Sequence, residues 1–221
     1  GAGCEFGDLA SLSAHGANSF RTWRIDNGKR TGKEVLDEAH KYGLKVLMGI
    51  EVGNERHGFN YSDTTAVRKQ LERIKNQVLL LKDHPALLAW GIGNELNLRY
   101  SNVGVWDAVN EISLMIHRVD GQHPTTTMLA GINKEDVEHI QQRANDLDFL
   151  SIQMYGDIIN LQQRITDSGY LGPYMVTEWG ATGHWEVPLT EWNAPVEPTS
   201  TEKASDIKKR YEKAIQQDSS H

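Results

Sequence analysis

The sequence has a single cysteine, Cys4, among its 221 residues. One cysteine cannot form an internal disulfide or supply a cysteine-based zinc site. It does not fix the cellular compartment either, because many secreted enzymes also lack disulfides. No signal peptide is visible and the chain does not begin with Met. The compartment therefore stays open, and a secreted or a periplasmic location would be compatible with the sequence.

Long apolar runs and an excess of basic residues are also missing. No apolar run approaches the ~20 residues that a transmembrane helix requires. Lys and Arg number 23 against 30 Asp and Glu, which gives a net charge of -7. The basic residues are scattered rather than gathered in a stripe. We therefore expect no membrane span and no nucleic-acid partner.

Motifs for metal and serine chemistry are absent as well. The nine His are spread singly along the chain, and no H-E-x-x-H motif is present. The G-x-S-x-G elbow of serine hydrolases is also missing. The sequence predicts no metal site, no cofactor and no nucleophilic serine.

The chain carries an alternation of strand and helix patterns, six strands with seven helices, and no linker, repeat or low-complexity tract. This predicts one α/β domain over residues 1–221 with a parallel sheet. A (β/α)8 barrel and a doubly wound sheet could both produce the pattern. The barrel is favoured because the long loops all follow strands and no G-x-G-x-x-G fingerprint follows the first strand. The predicted strands begin at Ser19, Lys45, Leu88, Thr126, Phe149 and Tyr174, and the first is expected to cover residues 19–25.

Two of these strands end in a glutamate. Residues 87–97 read LLAWGIGNELN, in which an apolar run stops at Asn94 and Glu95, and residues 174–180 read YMVTEWG, which stops at Glu178. The carboxyl ends of parallel strands gather at one face of a barrel. The two glutamates are therefore predicted to be a pair of catalytic carboxylates, although a strand-end Glu taken alone is more often a solvated loop acid or a cap.

With both glutamates placed, nearly the whole chain resembles the clan A glycoside hydrolases and is most similar to the family 2 type TIM-barrel domains of bacterial proteins. In that clan an Asn-Glu pair ends the fourth strand and a Glu ends the seventh. The clan's arginine on the second strand matches Arg21 in GANSFRTW, and its tyrosine after the sixth strand matches Tyr155 in IQMYGD. The resemblance makes the residues before Cys4 the first strand. It also implies that the eighth strand and its helix are missing, which would leave an open barrel edge through which the chain could self-associate.

The resemblance implies roles for these residues. Glu95 would be the general acid, with its pKa raised by desolvation, and Glu178 the ionised nucleophile beside Arg21. Asn94 could hold the 2-hydroxyl group of the sugar, and Tyr155 could hydrogen-bond the nucleophile. A carboxylate separation of ~5 Å, carried over from the clan, would imply a retaining mechanism.

Structural explanations compete with these roles. Arg21 could instead pair with Asp26 or Glu51, and Tyr155 could be a packing residue. Residues 54–57 (NERH), in the loop after strand three, could supply a polar contact to the sugar, and His57 is the candidate among them. Four aromatic residues could form a sugar-stacking platform or merely anchor their loop; they are Trp179, His184, Trp185 and Trp192.

The sequence thus predicts a retaining O-glycoside hydrolase that acts on an oligo- or polysaccharide. A transglycosylase would use the same two glutamates, and the sequence does not separate it from a hydrolase. A non-catalytic carbohydrate-binding or scaffold domain is the alternative from another class, motivated by the missing eighth strand.

Overall fold

The computed structural model describes residues 2–3 and 7–216. They contain one sheet of seven parallel strands that lie side by side in chain order. A doubly wound sheet reverses its strand order at a switch point, and no reversal occurs here. The fold is therefore a (β/α)8-type barrel whose described part lacks an eighth strand and helix, as predicted. The strands are β1 (Ala2–Gly3), β2 (Ser19–Arg21), β3 (Lys45–Ile50), β4 (Leu87–Asn94), β5 (Thr125–Ala130), β6 (Phe149–Gln153) and β7 (Tyr174–Glu178).

Seven α-helices connect and follow these strands. The capping boxes of the second and the last helix, at Thr31 and Thr199, are both formed. None of the described helices combines the length and the apolar character needed to cross a membrane. The helices are α1 (Leu9–Ala14), α2 (Gly32–Lys41), α3 (Thr64–Leu81), α4 (Gly104–Val119), α5 (Lys134–Arg143), α6 (Leu161–Ser168) and α7 (Ser200–Tyr211), which continues as a π-helical turn, Glu212–Gln216.

The main core lies between the sheet and the helices and includes the fully buried Trp90 and Trp106. A smaller cluster of Leu47, Ala89 and Met128 lies on the other side of the sheet, inside the barrel. This interior is crowded at Gly91, where a Cβ atom would lie 2.7 Å from Met128 Cε. The barrel centre is therefore packed with side chains, which leaves the strand ends as the place for a site.

The second strand is shorter than its sequence pattern predicts. We expected a strand over residues 19–25, but β2 ends at Arg21 and makes its last ladder bond from Thr22 N to Leu47 O at 3.1 Å. Ile25 is nevertheless buried, because it packs against Gly32 at the start of α2. The apolar alternation beyond Arg21 thus reflects packing under a helix and not strand pairing.

The sheet has two outer strands, β1 and β7. The predicted first strand is present as β1, which pairs Ala2 with Phe20 of β2, whereas Cys4 lies outside the described residues. Cα atoms of β1 and β7 approach within 8 Å, but the two strands are not paired in the sheet. Over the described residues the barrel is therefore curled nearly closed, and β1 and β7 form no hydrogen-bonded seam.

Candidate active site

The end of β4 brings Asn94 and Glu95 to the carboxyl face of the barrel through an irregular backbone. Gly93 has φ 75° and Glu95 has φ 52°, so both adopt the left-handed conformation. Leu96 packs so closely on Gly93 that a Cβ atom there would lie 2.4 Å from Leu96 Cδ1. Glu95 N donates to Met128 O of β5 at 2.8 Å, which fixes the turn. A left-handed glutamate is strained, and such strain is often found at functional sites.

Glu178, at the end of β7, is held by two side chains. Arg21 Nη1 lies 3.1 Å from Glu178 Oε2, and the Tyr155 hydroxyl donates to Glu178 Oε1. Arg21 Nη2 also donates to Asn94 Oδ1 at 2.8 Å. The guanidinium is only 3% exposed and lies 4.7 Å from the centroid of Trp23. Arg21 therefore joins the ends of β4 and β7 and pairs with Glu178 rather than with Asp26 or Glu51.

The electrostatic setting of Glu95 favours its protonated form. Burial raises the pKa of this carboxyl above its usual value, and the charge of Glu178 raises it further, against the opposing effects of Arg56 and Arg21. Burial and the contact with Glu178 likewise raise the pKa of the Tyr155 hydroxyl, which therefore stays a donor. One carboxyl group is thus poised to keep a proton, while the other is ion-paired.

Both glutamates line one cavity of about 700 Å³. This volume lies within the ~300–1,000 Å³ of typical small-molecule sites. Its walls combine apolar and polar groups, and they include Leu98, Ile132, Met154, Asp157, Trp185 and Glu186. A second cavity of about 340 Å³ lies on the other side of Glu178, between β1, β2 and β7. Glu178 therefore borders both spaces, as does Tyr155.

The remaining predicted substrate contacts lie at different distances from this cavity. Trp185 lines it, with its ring 5.0 Å from that of Tyr155, edge to face. Trp179 lines the second cavity instead and stacks on Tyr211 of the last helix at 6.4 Å. His57 borders a third cavity of about 850 Å³ over the loops after β2 and β3. The structure thus brings Trp185 to the two glutamates but places Trp179 and His57 in neighbouring spaces.

The other two aromatic residues of the predicted platform lie farther out on the loop that follows β7. His184 packs edge-on against Trp185 at 4.9 Å, and Trp192 is 75% exposed. Only Trp185, of the three aromatic residues beyond Trp179, lines the cavity with the glutamates.

Two further side chains at the site were not predicted to lie beside the glutamates. Arg56 Nη2 lies 3.6 Å from Glu95 Oε2. Gln153 ends β6 beside Glu95 and is 3% exposed. A signal existed for Gln153, since it is a polar residue that ends an apolar strand, as the glutamates do. Among the residues that the structure describes, no cluster of three or more His, Cys, Asp or Glu is arranged to hold a metal ion.

Comparison with known proteins identifies the family of the chain. Residues 6–184 match the sequence profile of the glycosyl hydrolases family 2, TIM barrel domain. The chain belongs to this family. The strand-end glutamates and the sequential parallel sheet of this family 2 domain agree with that membership. No curated protein matches the chain.

Solved structures similar to this family 2 domain include three glycosidases. A β-D-glucuronidase of Dictyoglomus thermophilum is 18% identical with a TM-score of 0.67, over 95% of this chain and 37% of that one. A β-glucuronidase of Bifidobacterium dentium, complexed with coumarin-3-O-glucuronide, is 19% identical with a TM-score of 0.64, over 94% and 35%. A family 2 β-galacturonidase of Eisenbergiella tayi, bound to galacturonate, is 19% identical with a TM-score of 0.67, over 93% and 36%. The chain therefore spans little more than a third of these proteins, and at this identity they show the fold alone.

Proposed function

We propose that this family 2 domain carries the catalytic site of a retaining O-glycoside hydrolase that acts on an oligo- or polysaccharide. Glu178 is the nucleophile, and Glu95 is the general acid and then the general base. The observation that supports this most is the contrast between two carboxyl groups on one cavity. Burial favours protonation of Glu95, whereas Arg21 and Tyr155 bind both oxygens of Glu178.

Retaining hydrolysis proceeds in two displacements. In the first, a carboxylate oxygen of Glu178 forms a bond to the anomeric carbon while the bond to the leaving oxygen breaks, and Glu95 gives its proton to that oxygen. In the second, Glu95 takes a proton from water, whose oxygen attacks the anomeric carbon and releases Glu178. Arg21 balances the charge of Glu178 before the first displacement and again after the second releases it.

The neighbouring side chains would hold the sugar. Asn94, oriented by Arg21, is the proposed partner of the 2-hydroxyl group, and Trp185 offers a ring on which the C–H face of a sugar can pack. Trp179 borders the second cavity beside Glu178, where it would contact the glycone. His57 borders the third cavity, where it would contact a longer saccharide chain.

A panel of 4-nitrophenyl and 2,4-dinitrophenyl glycosides tests the proposal, with the anomeric form of the first product read by NMR. We expect a product of retained configuration and, with the matching 2-deoxy-2-fluoro glycoside, a covalent adduct on Glu178 found by mass spectrometry. Transfer to an added acceptor sugar in place of water would identify the transglycosylase instead. Saccharide binding without turnover would identify a binding domain and overturn the proposal.

A further inference from the structure

Gln153 occupies the space between the two halves of the site. Its side-chain amide has one end 2.7 Å from Glu95 Oε1, and its other end contacts Arg21 Nη1. Asn94 Oδ1 lies 3.0 Å from that same second end. Gln153 is therefore a buried neutral side chain that contacts both Glu95, the proposed acid, and Arg21, which pairs with the proposed nucleophile. None of the roles assigned above explains this position.

The partners of the amide decide which way it faces. A guanidinium only donates hydrogen bonds and an ionised carboxylate only accepts them. The amide nitrogen therefore faces Glu95, to which it donates, and the amide oxygen faces Arg21, from which it accepts. The reverse orientation would gain a hydrogen bond to Asn94 Oδ1. It would also set oxygen against the Glu95 carboxylate and nitrogen against the guanidinium, and bonds to charged groups are about twice as strong as bonds between neutral ones.

From this geometry we infer that Gln153 is a positioning residue of the glycosidase, whose amide couples the carboxyl group of Glu95 to the Arg21–Glu178 pair. The inference rests on the proposed function. Because Glu95 Oε1 already accepts an N–H bond, the proton of the acid form is carried by Oε2. Oε2 is the oxygen that lies 3.6 Å from Arg56. Gln153 thus fixes both the rotation of the carboxyl group and the oxygen that delivers the proton.

The coupling predicts a change in pH dependence when the amide is removed. An N–H bond to the carboxylate stabilises its charged form, so its loss raises the pKa of Glu95. The other groups that face Glu95 or its cavity would remain in place; they are Arg21, Arg56, Tyr155, Asp157, Arg164, Glu178 and Glu186.

The test compares Gln153→Met, which keeps the length of the side chain but not its hydrogen bonds, with the unchanged protein. Activity is measured on a good leaving group, 2,4-dinitrophenol, and on a poor one, an alkyl or saccharide alcohol, because proton donation matters chiefly for the second. We expect kcat/KM to fall about 10- to 100-fold for the poor leaving group, and less than about 3-fold for dinitrophenol. The basic limb of the pH profile should move to higher pH.

Ser151→Ala is the matched control, since Ser151 lies on the same strand, is fully buried and accepts a hydrogen bond from Thr126 Oγ1 at 3.0 Å, away from the glutamates. It should lower the thermal midpoint without moving the pH limb. Two outcomes for Gln153→Met would overturn the role of Gln153. One is an equal loss of kcat/KM for both leaving groups with no movement of the basic limb of the pH profile, and the other is no loss of kcat/KM at all. Failure of the unchanged protein to cleave any glycoside would instead overturn the proposed function, so the two failures are distinguishable.

Discussion

Glu95 and Glu178 have the same side chain but opposite surroundings. Glu95 has its pKa raised by burial and by the negative charge of Glu178. Glu178 receives hydrogen bonds on both oxygens, one of them from the buried Arg21. A pair of like groups that differ in this way can divide acid and nucleophile roles between them. The difference arises from the neighbours of each residue, so it is the neighbours that set the chemistry.

Replacement of each glutamate should separate the two roles. We expect Glu178→Gln to abolish turnover of every substrate, because the amide cannot form the glycosyl-enzyme. Glu95→Ala should retain partial cleavage of 2,4-dinitrophenyl glycosides, since these need little protonation, and azide should restore its turnover. Steady-state rates with and without azide measure this, and normal activity in Glu178→Gln would contradict the assignment.

The pKa of His117, at the opposite, amino-terminal end of the strands, is also set by neighbouring side chains. Its Nδ1 lies 2.8 Å from Asp146 Oδ2 and its Nε2 lies 2.9 Å from Asp148 Oδ2. Burial lowers the pKa of His117, but hydrogen bonds and charges of Asp148 and Asp146 outweigh it, so the pKa ends above the usual 6.5. The charged ring therefore stabilises the fold below the usual pKa. This contribution is lost as the pH rises through the folded-state value.

We accordingly expect His117→Gln to lose more stability at about pH 6 than at about pH 9. Urea unfolding at the two pH values measures the difference, with the exposed His40→Gln as control. A stability loss that is equal at both pH values would show that the ring acts only by packing.

Sequence reasoning placed the glutamates but not all of their neighbours. An acid that ends an apolar strand is visible in a linear pattern, as Glu95 and Glu178 were. The position of Arg56 is not visible in this way, because it depends on a tertiary contact. The carboxylate of the preceding residue, Glu55, accepts hydrogen bonds from the backbone N–H groups of Ser101 and Asn102, in the loop after β4, at 2.7 and 3.0 Å. Gln153 is a neutral residue, and a search for charged side chains passes over it.

Among the elements, the helix starts and most strand starts followed local rules, whereas the end of β2 followed a tertiary one. The capping boxes predicted the starts of α2 and α7, because the box involves only residues three apart. β2 ended four residues earlier than predicted, because its pairing with β3 stops after the bond from Thr22 N to Leu47 O, and Ile25 packs against Gly32 of α2 instead. The apolar alternation of the sequence does not show where that pairing stops.

The last helix is attached to the site mainly by polar contacts. None of the residues of α7 is buried. Arg210 donates from Nε to Asp206 at 2.7 Å, from Nη2 to Thr182 Oγ1 at 2.8 Å, and from Nη1 to the backbone oxygens of Tyr155 and Gly156. One side chain therefore links α7 to the loops after β6 and β7, which carry Tyr155 and follow Glu178.

We expect Arg210→Ala to destabilise the protein by about 1–3 kcal/mol, because it removes hydrogen bonds from a charged group to partly buried acceptors. Activity should fall as well, since Tyr155 loses its fixed position beside Glu178. The exposed neighbour Lys209→Ala is the matched control and should change neither quantity. Urea unfolding and kcat/KM measure the effects, and identical behaviour of the two variants would refute the link.

At the scale of the whole molecule, β1 and β7 are the outer strands of the described sheet. Among the residues that the structure describes, β1 and β7 approach within 8 Å without pairing, which leaves N–H and C=O groups along the facing edges of these two strands. Tyr174 and Met175 on β7 are 40% and 43% exposed. Unpaired edges with exposed apolar side chains favour association with other chains. The second cavity, which Glu178 and Trp179 line, opens between these same strands.

We therefore predict that a version of the protein extended by an eighth strand and helix is more stable, less prone to self-association and more active. The added strand would move β1 and β7 apart and pair with both edges, and each 100 Å² of apolar surface that it covers would contribute about 2.5 kcal/mol. It would also complete the wall of the second cavity beside Glu178. The two versions are compared by their thermal midpoints for stability, by sedimentation for self-association and by their glycosidase activities.

A charge on the edge strand provides the matched test within the present chain. Met175→Lys should reduce self-association, because an edge lysine blocks pairing with another strand. Leu171→Lys should not reduce it, since Leu171 is exposed but precedes the edge strand.

If the extended and present versions have equal stability and activity, the contact between β1 and β7 already closes the barrel, and the eighth unit is dispensable for both the fold and the site.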